Sequence, residues 1–174
     1  MNNIGITQQK ICKRAELATE IARRQAQGER CVFTNGCFDL LHLGHVRYLQ
    51  EARALGDLLV LGLNGDESVR QLKGAKRPLV PEAERAEILA ALSCIDYVTI
   101  FPETTATTLI ELFRPAIYVK GGDYAKRDKL NQKPLPEASS VLAYGGTIHL
   151  IPYVAGHSTT ELIAAIKRLP EQSN

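Results

Sequence analysis

No stretch of the chain approaches the roughly 18 consecutive apolar residues of a membrane-spanning helix, and the opening segment MNNIGITQQKICKR lacks the apolar run of a secretory signal. A cytoplasmic setting with no membrane partner is the expectation. Cysteine is sparse: Cys12, Cys31, Cys37 and Cys94 contain no C-x-x-C pair and no zinc-like spacing, which argues against a disulfide framework and a structural zinc site. They read as thiols, most of them buried. Excess charge of one sign is missing as well, since 21 Lys and Arg stand against 19 Asp and Glu. A net charge of +2 does not make the concentrated basic face of a nucleic-acid binder. No nucleic-acid partner is expected, and any anion site must be local. Two phosphate-binding signatures, G-x-x-x-x-G-K-[ST] and G-x-G-x-x-G, are absent, which removes P-loop NTPases and standard dinucleotide-binding folds. Internal repeats and coiled-coil heptads are absent too.

What is present is an alternation of short apolar runs with helical patterns, over a length that suits one compact domain. "KRAELATEIARRQAQGER" places Leu17, Ile21 and Ala22 on one side and stops at Gly28, a lead-in helix within residues 1–30. Residues 31–170 carry the rest. "CVFTNG" is a buried strand running into a glycine turn, "GHVRYLQEARALG" a helix and "DLLVLGLNG" a second strand, together a βαβ unit. The alternation continues with "PEAERAEILAAL", a helix with Pro81 where proline is favoured, then "IDYVTIF" as strand, "TTATTLIELF" as helix and "AIYVKGG" as strand. It closes with "GTIHLIP" as strand and "STTELIAAIKRL" as helix. The fold class is therefore α/β: a single domain with a parallel five-stranded sheet and helices on both faces. Residues 123–136 are polar with two prolines and read as a long loop of the kind that often serves as a lid. Residues 171–174 form a tail.

In such sheets ligands bind beyond the carboxyl ends of the strands, near the point where strand order reverses. The first strand end delivers "TNGCFDLLHLGH", the second "NGD", the fourth "KGGD", and the fifth, after a short loop, "GHSTT". Thr34, Asn35 and Gly36 read as a turn with backbone N–H groups free for phosphate. Gly44 and His45 begin the next helix, whose N-terminus favours anions. His42 lies three residues before His45, so in a helical first turn both rings point the same way. Solvated or capping histidines and a metal site of Asp39, His42 and His45 are the competing readings. No H-E-x-x-H is present, and the other strand ends favour phosphate. Ser158 or Thr159 can cap the final helix, with Glu161 in its first turn. Lys120 in "KGGD" can bring charge to a nucleotide. Of the basic loop Lys73, Lys76 and Arg77, Lys73 is the candidate for function, while His149 reads as structural.

"TNGCFDLLHLGH", followed near the C-terminus by "GHSTT", resembles the cytidylyltransferase-like branch of the HxGH nucleotidyltransferases, a Rossmann-like α/β superfamily. Within it, "FTNGCFDLLHLGHVRYL", "LKGAKRPLVPEAERAEILAAL", "VKGGDY" and "YGG" look most like the adenylyltransferase domain of bacterial heptose biosynthesis. That enzyme couples ATP to D-glycero-β-D-manno-heptose 1-phosphate, giving ADP-heptose and pyrophosphate. The resemblance implies catalytic roles at the phosphates for His42, His45 and Arg47. It implies nucleotide contacts for Thr34, Asn35, Gly36, Phe38, Gly44, Asp66, Arg85, Lys120, Gly121, Gly122, Asp123, Ser158 and Thr159. Asp39 would lie near the acceptor, and Mg²⁺ would arrive with ATP, held by phosphates and water rather than by a protein cage. Relatives are often dimers, so a homodimer using the N-terminal helix is an implied partner. The bifunctional heptose enzymes carry a sugar kinase domain that this chain lacks, which implies a kinase as a separate protein.

Two departures from the pattern bear on specificity. Glycerol-phosphate and phosphocholine relatives place an arginine just ahead of the Ser-Thr-Thr segment, where this chain reads "YVAGHSTT", and His157 is not expected there. CTP-dependent transfer to glycerol 3-phosphate or a similar small phosphate is the alternative within the enzyme class. A nucleotide-binding regulatory module without turnover is the alternative outside it.

Overall fold

The computed structural model describes residues 3–121, 135–152, 154 and 156–169. Two helices, α1 (Asn3–Gln9) and α2 (Arg14–Ala26), precede β1 (Cys31–Gly36) and α3 (Leu43–Arg53). They are followed by β2 (Leu58–Asn64), α4 (Asp66–Lys73), α5 (Glu82–Ala90), β3 (Tyr97–Phe101) and α6 (Thr107–Phe113). The last elements are β4 (Ile117–Gly121), α7 (Ala138–Ala143), β5 (Thr147–Ile151) and α8 (Thr159–Lys167). The strands form one five-stranded sheet in the order β3-β2-β1-β4-β5, every pair parallel. The chain leaves β1 toward β2 and β3, then returns to the other side of β1 for β4 and β5. The carboxyl ends of β1 and β4 are thus the switch point at which doubly wound sheets bind ligands.

Strand alternation explains why both faces need helices. From β1 and β2, Val32, Leu59, Leu61 and Leu63 pack on Leu49 and Ala52 of α3 and on Ala86, Leu89 and Ala90 of α5. Phe33, Leu58 and Val60 project oppositely onto Leu17 and Ile21 of α2, Leu109, Ile110 and Phe113 of α6 and Val141 of α7. All seven residues of β2 are buried, so it reads as an unbroken apolar run rather than an alternation. Phe33 anchors the second face, with its ring centroid 5.9 Å from Phe113 and 6.0 Å from Tyr118.

Several sequence expectations are corrected here. Thr34, Asn35 and Gly36 are the end of β1, not a turn: all three pair with β2, while pairing with β4 stops at Thr34. The polar start contains α1, and Lys10–Cys12 then docks on the edge of β3, with Ile11 bridged to Val98 and Cys12 N–H donating to the Val98 carbonyl at 2.9 Å. The N-terminal segment therefore covers a sheet edge that would otherwise be open. Pro81 stands at the N-cap of α5, one place before the helix. Helices α4 and α7 were not among the expected elements. Of the cysteines only Cys31 is buried, and burial pushes its thiol up to about 12, while Cys12, Cys37 and Cys94 are half-buried. His149 is exposed on the outer strand β5. Gly122, Asp123 and the loop expected at 124–136, up to residue 134, lie outside the described residues, as do residues 170–174.

Candidate active site

Beyond Gly36 the chain turns through Phe38, which holds a left-handed backbone (φ 41°), a conformation costing a non-glycine residue roughly 1–2 kcal/mol. Phe38 is buried and its ring lies 5.2 Å, centroid to centroid, from that of His45. A Cβ on Gly36 would come within 2.9 Å of the same ring, so glycine is required beneath it. His42 is the extended N-cap of α3 (φ −144°, ψ 171°), and its carbonyl accepts the His45 N–H at 2.9 Å. The two imidazoles stack with centroids 3.8 Å apart and planes 24° from parallel. The residue between them has little freedom. A Cβ on Gly44 would sit 3.0 Å from Cε1 and Nδ1 of His42 and 3.1 Å from the His157 carbonyl oxygen.

Both rings are neutral at neutral pH. Burial, and then the neighbouring His42, push His45 down to about 4. His42 is lowered by burial first and by His157 second, with Glu161 opposing. Nδ1 of each ring is buried without a hydrogen-bond partner. A buried N–H left orphaned is rarer than a bare acceptor, which assigns the proton of both rings to Nε2. Each imidazole is then a neutral donor through Nε2.

The segment "GHSTT" meets this pair, as expected. Ser158 is the N-cap of α8: its Oγ accepts from the Glu161 N–H at 3.1 Å and donates to Glu161 Oε2 at 2.8 Å. Thr159 Oγ1 lies 3.5 Å from the Leu40 carbonyl, which ties α8 to the loop before His42. Two helix N-termini therefore abut one rim, each with orphan amides and the positive end of a dipole. On the far side, Lys120 Nζ donates to Asn35 Oδ1 at 2.8 Å, and the Tyr118 hydroxyl donates to the same oxygen at 2.8 Å. Burial lowers the Lys120 ammonium from its ordinary value, against the pull of Glu137. Gly121 ends β4 beside Ile151. Lys73, exposed at the end of α4, is close enough for its charge to act on Cys37 and Lys120. Arg47 is exposed on α3, five residues after His42.

Other expected site residues are engaged in holding the structure. Thr34 is fully buried and its hydroxyl is 2.6 Å from that of Tyr48. Arg85 is not at the open rim: it is 1% exposed, and donates to the carbonyls of Val80 (2.8 Å), Cys37 (2.6 Å) and Asn64 (2.9 Å) and to Asp66 Oδ1 (2.6 Å). Asp66 is consumed by that pair. Asp39 faces the loop after α4, bonded to Arg77, Leu79 and Val80, rather than His42 and His45. Among the described residues no group of three or more His, Cys, Asp or Glu could hold a metal ion, and no helix is long and apolar enough to cross a membrane. Sequence reasoning noted His157 only as a departure from the pattern and passed over Tyr118. The place of His157 inside "GHSTT" was the available signal for the first, and the strand alternation two residues before Lys120 for the second.

With the geometry in place, comparison with known proteins decides the family: the model described as "Cytidylyltransferase-like" matches residues 33–164. The chain belongs to the cytidylyltransferase-like family. A relative from Geobacter sulfurreducens, called bifunctional protein HldE, is 57% identical over 150 residues, covering 86% of this chain and 29% of its own length. This cytidylyltransferase-like chain thus spans about three tenths of the curated relatives it matches. The solved lipopolysaccharide core biosynthesis protein from Thermoplasma volcanium is 28% identical with a TM-score of 0.57, covering 73% of this chain and 98% of its own. The pantoate-beta-alanine ligase of Francisella tularensis shares the fold alone, with a TM-score of 0.59 and 12% identity over 90% of this chain and 76% of its own.

Two outcomes are expected from this arrangement. Arg85→Met strands three carbonyls and the Asp66 carboxylate, and should cost about 3 kcal/mol in urea unfolding. His45 binds its proton in the unfolded chain below about pH 6.5 but in the folded one only near 4, so stability falls as pH drops through that window. Between about pH 7 and pH 4.5 the native protein should lose on the order of 2 kcal/mol more than His45→Gln.

Proposed function

We propose that the chain transfers AMP from Mg²⁺·ATP to a sugar 1-phosphate, D-glycero-β-D-manno-heptose 1-phosphate, forming ADP-heptose and pyrophosphate. One observation carries the reading: two stacked, neutral imidazoles at the N-terminus of α3 abut the N-terminus of α8 where the sheet order reverses. The motif resemblance to the adenylyltransferase domain of bacterial heptose biosynthesis supplies the heptose, and the missing arginine before Ser158 favours ATP over CTP.

The acceptor phosphate is already an anion, so no general base is needed. One of its oxygens attacks the α-phosphorus and forms the new P–O bond. The bond from that phosphorus to the α,β-bridging oxygen breaks, and its electron pair leaves on pyrophosphate. Negative charge grows on the α-phosphate and on the leaving group, and magnesium, arriving on the phosphates of the nucleotide, would offset part of it. The protein's part is alignment and hydrogen bonding. His42 and His45 donate through Nε2 to the reacting phosphate. The α8 amides behind Ser158 and Thr159 receive the leaving phosphates, and the resemblance alone assigns Arg47, exposed on α3, to the phosphates. Asn35, Gly36, Phe38, Lys120 and Gly121 border the nucleotide. Neutral imidazoles suit this task, because they donate without binding the pyrophosphate too tightly to release it.

His42→Ala or His45→Ala should lower kcat by roughly 10²–10³, with smaller changes in KM, as expected for donors used mainly in the transition state. The reading itself is tested by purified protein, Mg²⁺ and either ATP or CTP with a panel of sugar 1-phosphates and glycerol 3-phosphate, products weighed by mass spectrometry. ADP-heptose with ATP is the expected product. CDP-glycerol would replace the reading, and nucleotide binding without pyrophosphate release for any acceptor would indicate a regulatory module.

A further inference from the structure

On one side β1 outruns its partner: pairing with β4 stops at Thr34 and Val119, while pairing with β2 continues to Gly36. Past that point side chains join the two strands. Lys120 Nζ donates to the Asn35 carbonyl at 3.3 Å and to its Oδ1 at 2.8 Å, and the Tyr118 hydroxyl donates to the same Oδ1 at 2.8 Å. An ammonium has donors and no acceptor, so the amide atom facing Lys120 is the oxygen, and Nδ2 is the branch turned away. Tyr118 is fully buried, with its ring stacked on Phe33 at 6.0 Å, which fixes the place of its hydroxyl. Nδ2 meets no acceptor among the described residues. Nor is it sealed in. The buried side-chain nitrogen and oxygen atoms without a partner among those residues are Nδ1 of His42 and of His45, Thr99 Oγ1 and Glu137 Oε2, and Asn35 keeps 8% of its surface. The NH2 group therefore reaches the open end of the sheet. Asn35 follows Phe33 by two residues and so shares its face, the one covered by α2, α6 and α7. The histidines begin α3, which packs on the other face, and α8 starts beside them.

We propose that Tyr118 and Lys120 are positioning residues for the acceptor: together they turn the Asn35 amide so that Nδ2 donates to an oxygen of the sugar phosphate. The proposal rests on the nucleotidyl-transfer reading above and narrows it. In-line displacement puts the attacking and leaving oxygens on opposite sides of the phosphorus. The leaving phosphates go to the α8 amides on the histidine face, so the acceptor approaches from the side on which Asn35 stands. Lys120 acts within the protein. Two of its three donors are taken by Asn35, and it is not a charge laid on the nucleotide.

Steady-state kinetics on the full chain read the arrangement. Tyr118→Phe keeps the ring and removes one of the two donors. It should raise the acceptor KM about fivefold, with kcat and the KM for ATP changed less than about threefold, as for a contact made equally in ground and transition states. Lys120→Met should raise the same KM, and a rise in the KM for ATP instead would return the lysine to the nucleotide and overturn the proposal. Asn35→Asp keeps an acceptor for both donors but loses the NH2 group, and should raise the acceptor KM more than about tenfold. In that background Tyr118→Phe should change nothing further, because no amide is left to orient. An unmoved acceptor KM in Tyr118→Phe, or effects that multiply, overturns the proposal. Nitrogen-15 NMR of the Asn35 side-chain amide reads the same contact in the native chain, without a variant and without turnover. With Mg²⁺ and α,β-methylene-ATP bound, added sugar 1-phosphate should move the Asn35 NH2 resonances; a response to the nucleotide alone, or to neither, contradicts the assignment. Turnover with an indifferent Asn35 amide refutes the proposal and leaves the function intact. No turnover by the native chain with any sugar phosphate refutes the function, and the proposal with it.

Discussion

Stacking of His42 on His45 is the contact from which the rest of the rim follows, and it exists because nothing projects from the backbone between them. With Cβ positions 3.0 Å from one ring and 3.1 Å from the chain at His157, any side chain at Gly44 would push either the imidazole or the C-terminal segment away. The same absence lets α8 approach α3, so that two helix N-termini share one anion-facing rim. Stacked rings also set their own chemistry. Each is removed from water and each disfavours a charge on the other. Hydrogen-bond donation survives while net charge does not, which fits a site that must bind a phosphate in passing and release it.

Around that contact the molecule spends its buried polar groups on rigidity. Arg85 and Asp39 make eight hydrogen bonds between them, and all but the one from Arg85 to the Val80 carbonyl join segments distant in sequence. Buried charges of this kind are costly unless fully paired, and these are. Their return is geometric: the loop after α4, the end of β1 and the start of α4 are locked to one another on the side of the sheet that carries the histidines. On the opposite side Asn35, Tyr118 and Lys120 perform a similar service between β1 and β4.

The fold was legible because strands buried on both faces leave near-continuous apolar runs, as β1 and β2 do, while β5, largely exposed at the sheet edge, is short and bounded by glycine and proline. Strand order was not written there, although right-handed crossovers and the position of the phosphate-like motifs narrow it. The histidine pair and "GHSTT" were legible as a constellation, since their residue types serve little purpose in a core. The partners of Asp39 and Arg85 were not legible for a physical reason. A charged residue near a motif looks like a ligand, and only the three-dimensional structure shows its partners: for Asp39 the Arg77 guanidinium and two amides about 40 residues away, for Arg85 three carbonyls and the Asp66 carboxylate. His157 stood out only as a departure, because the closeness of its carbonyl to Gly44 joins segments far apart in the chain.

Long-range proton–nitrogen NMR of the histidine rings, in nitrogen-15-labelled protein at neutral pH with and without Mg²⁺·ATP, tests the central claim most directly. The account predicts that His42 and His45 are both neutral, each with its proton on Nε2, and that added nucleotide moves both Nε2 resonances. Protonated rings at neutral pH, the opposite tautomer, or resonances indifferent to the nucleotide would contradict it.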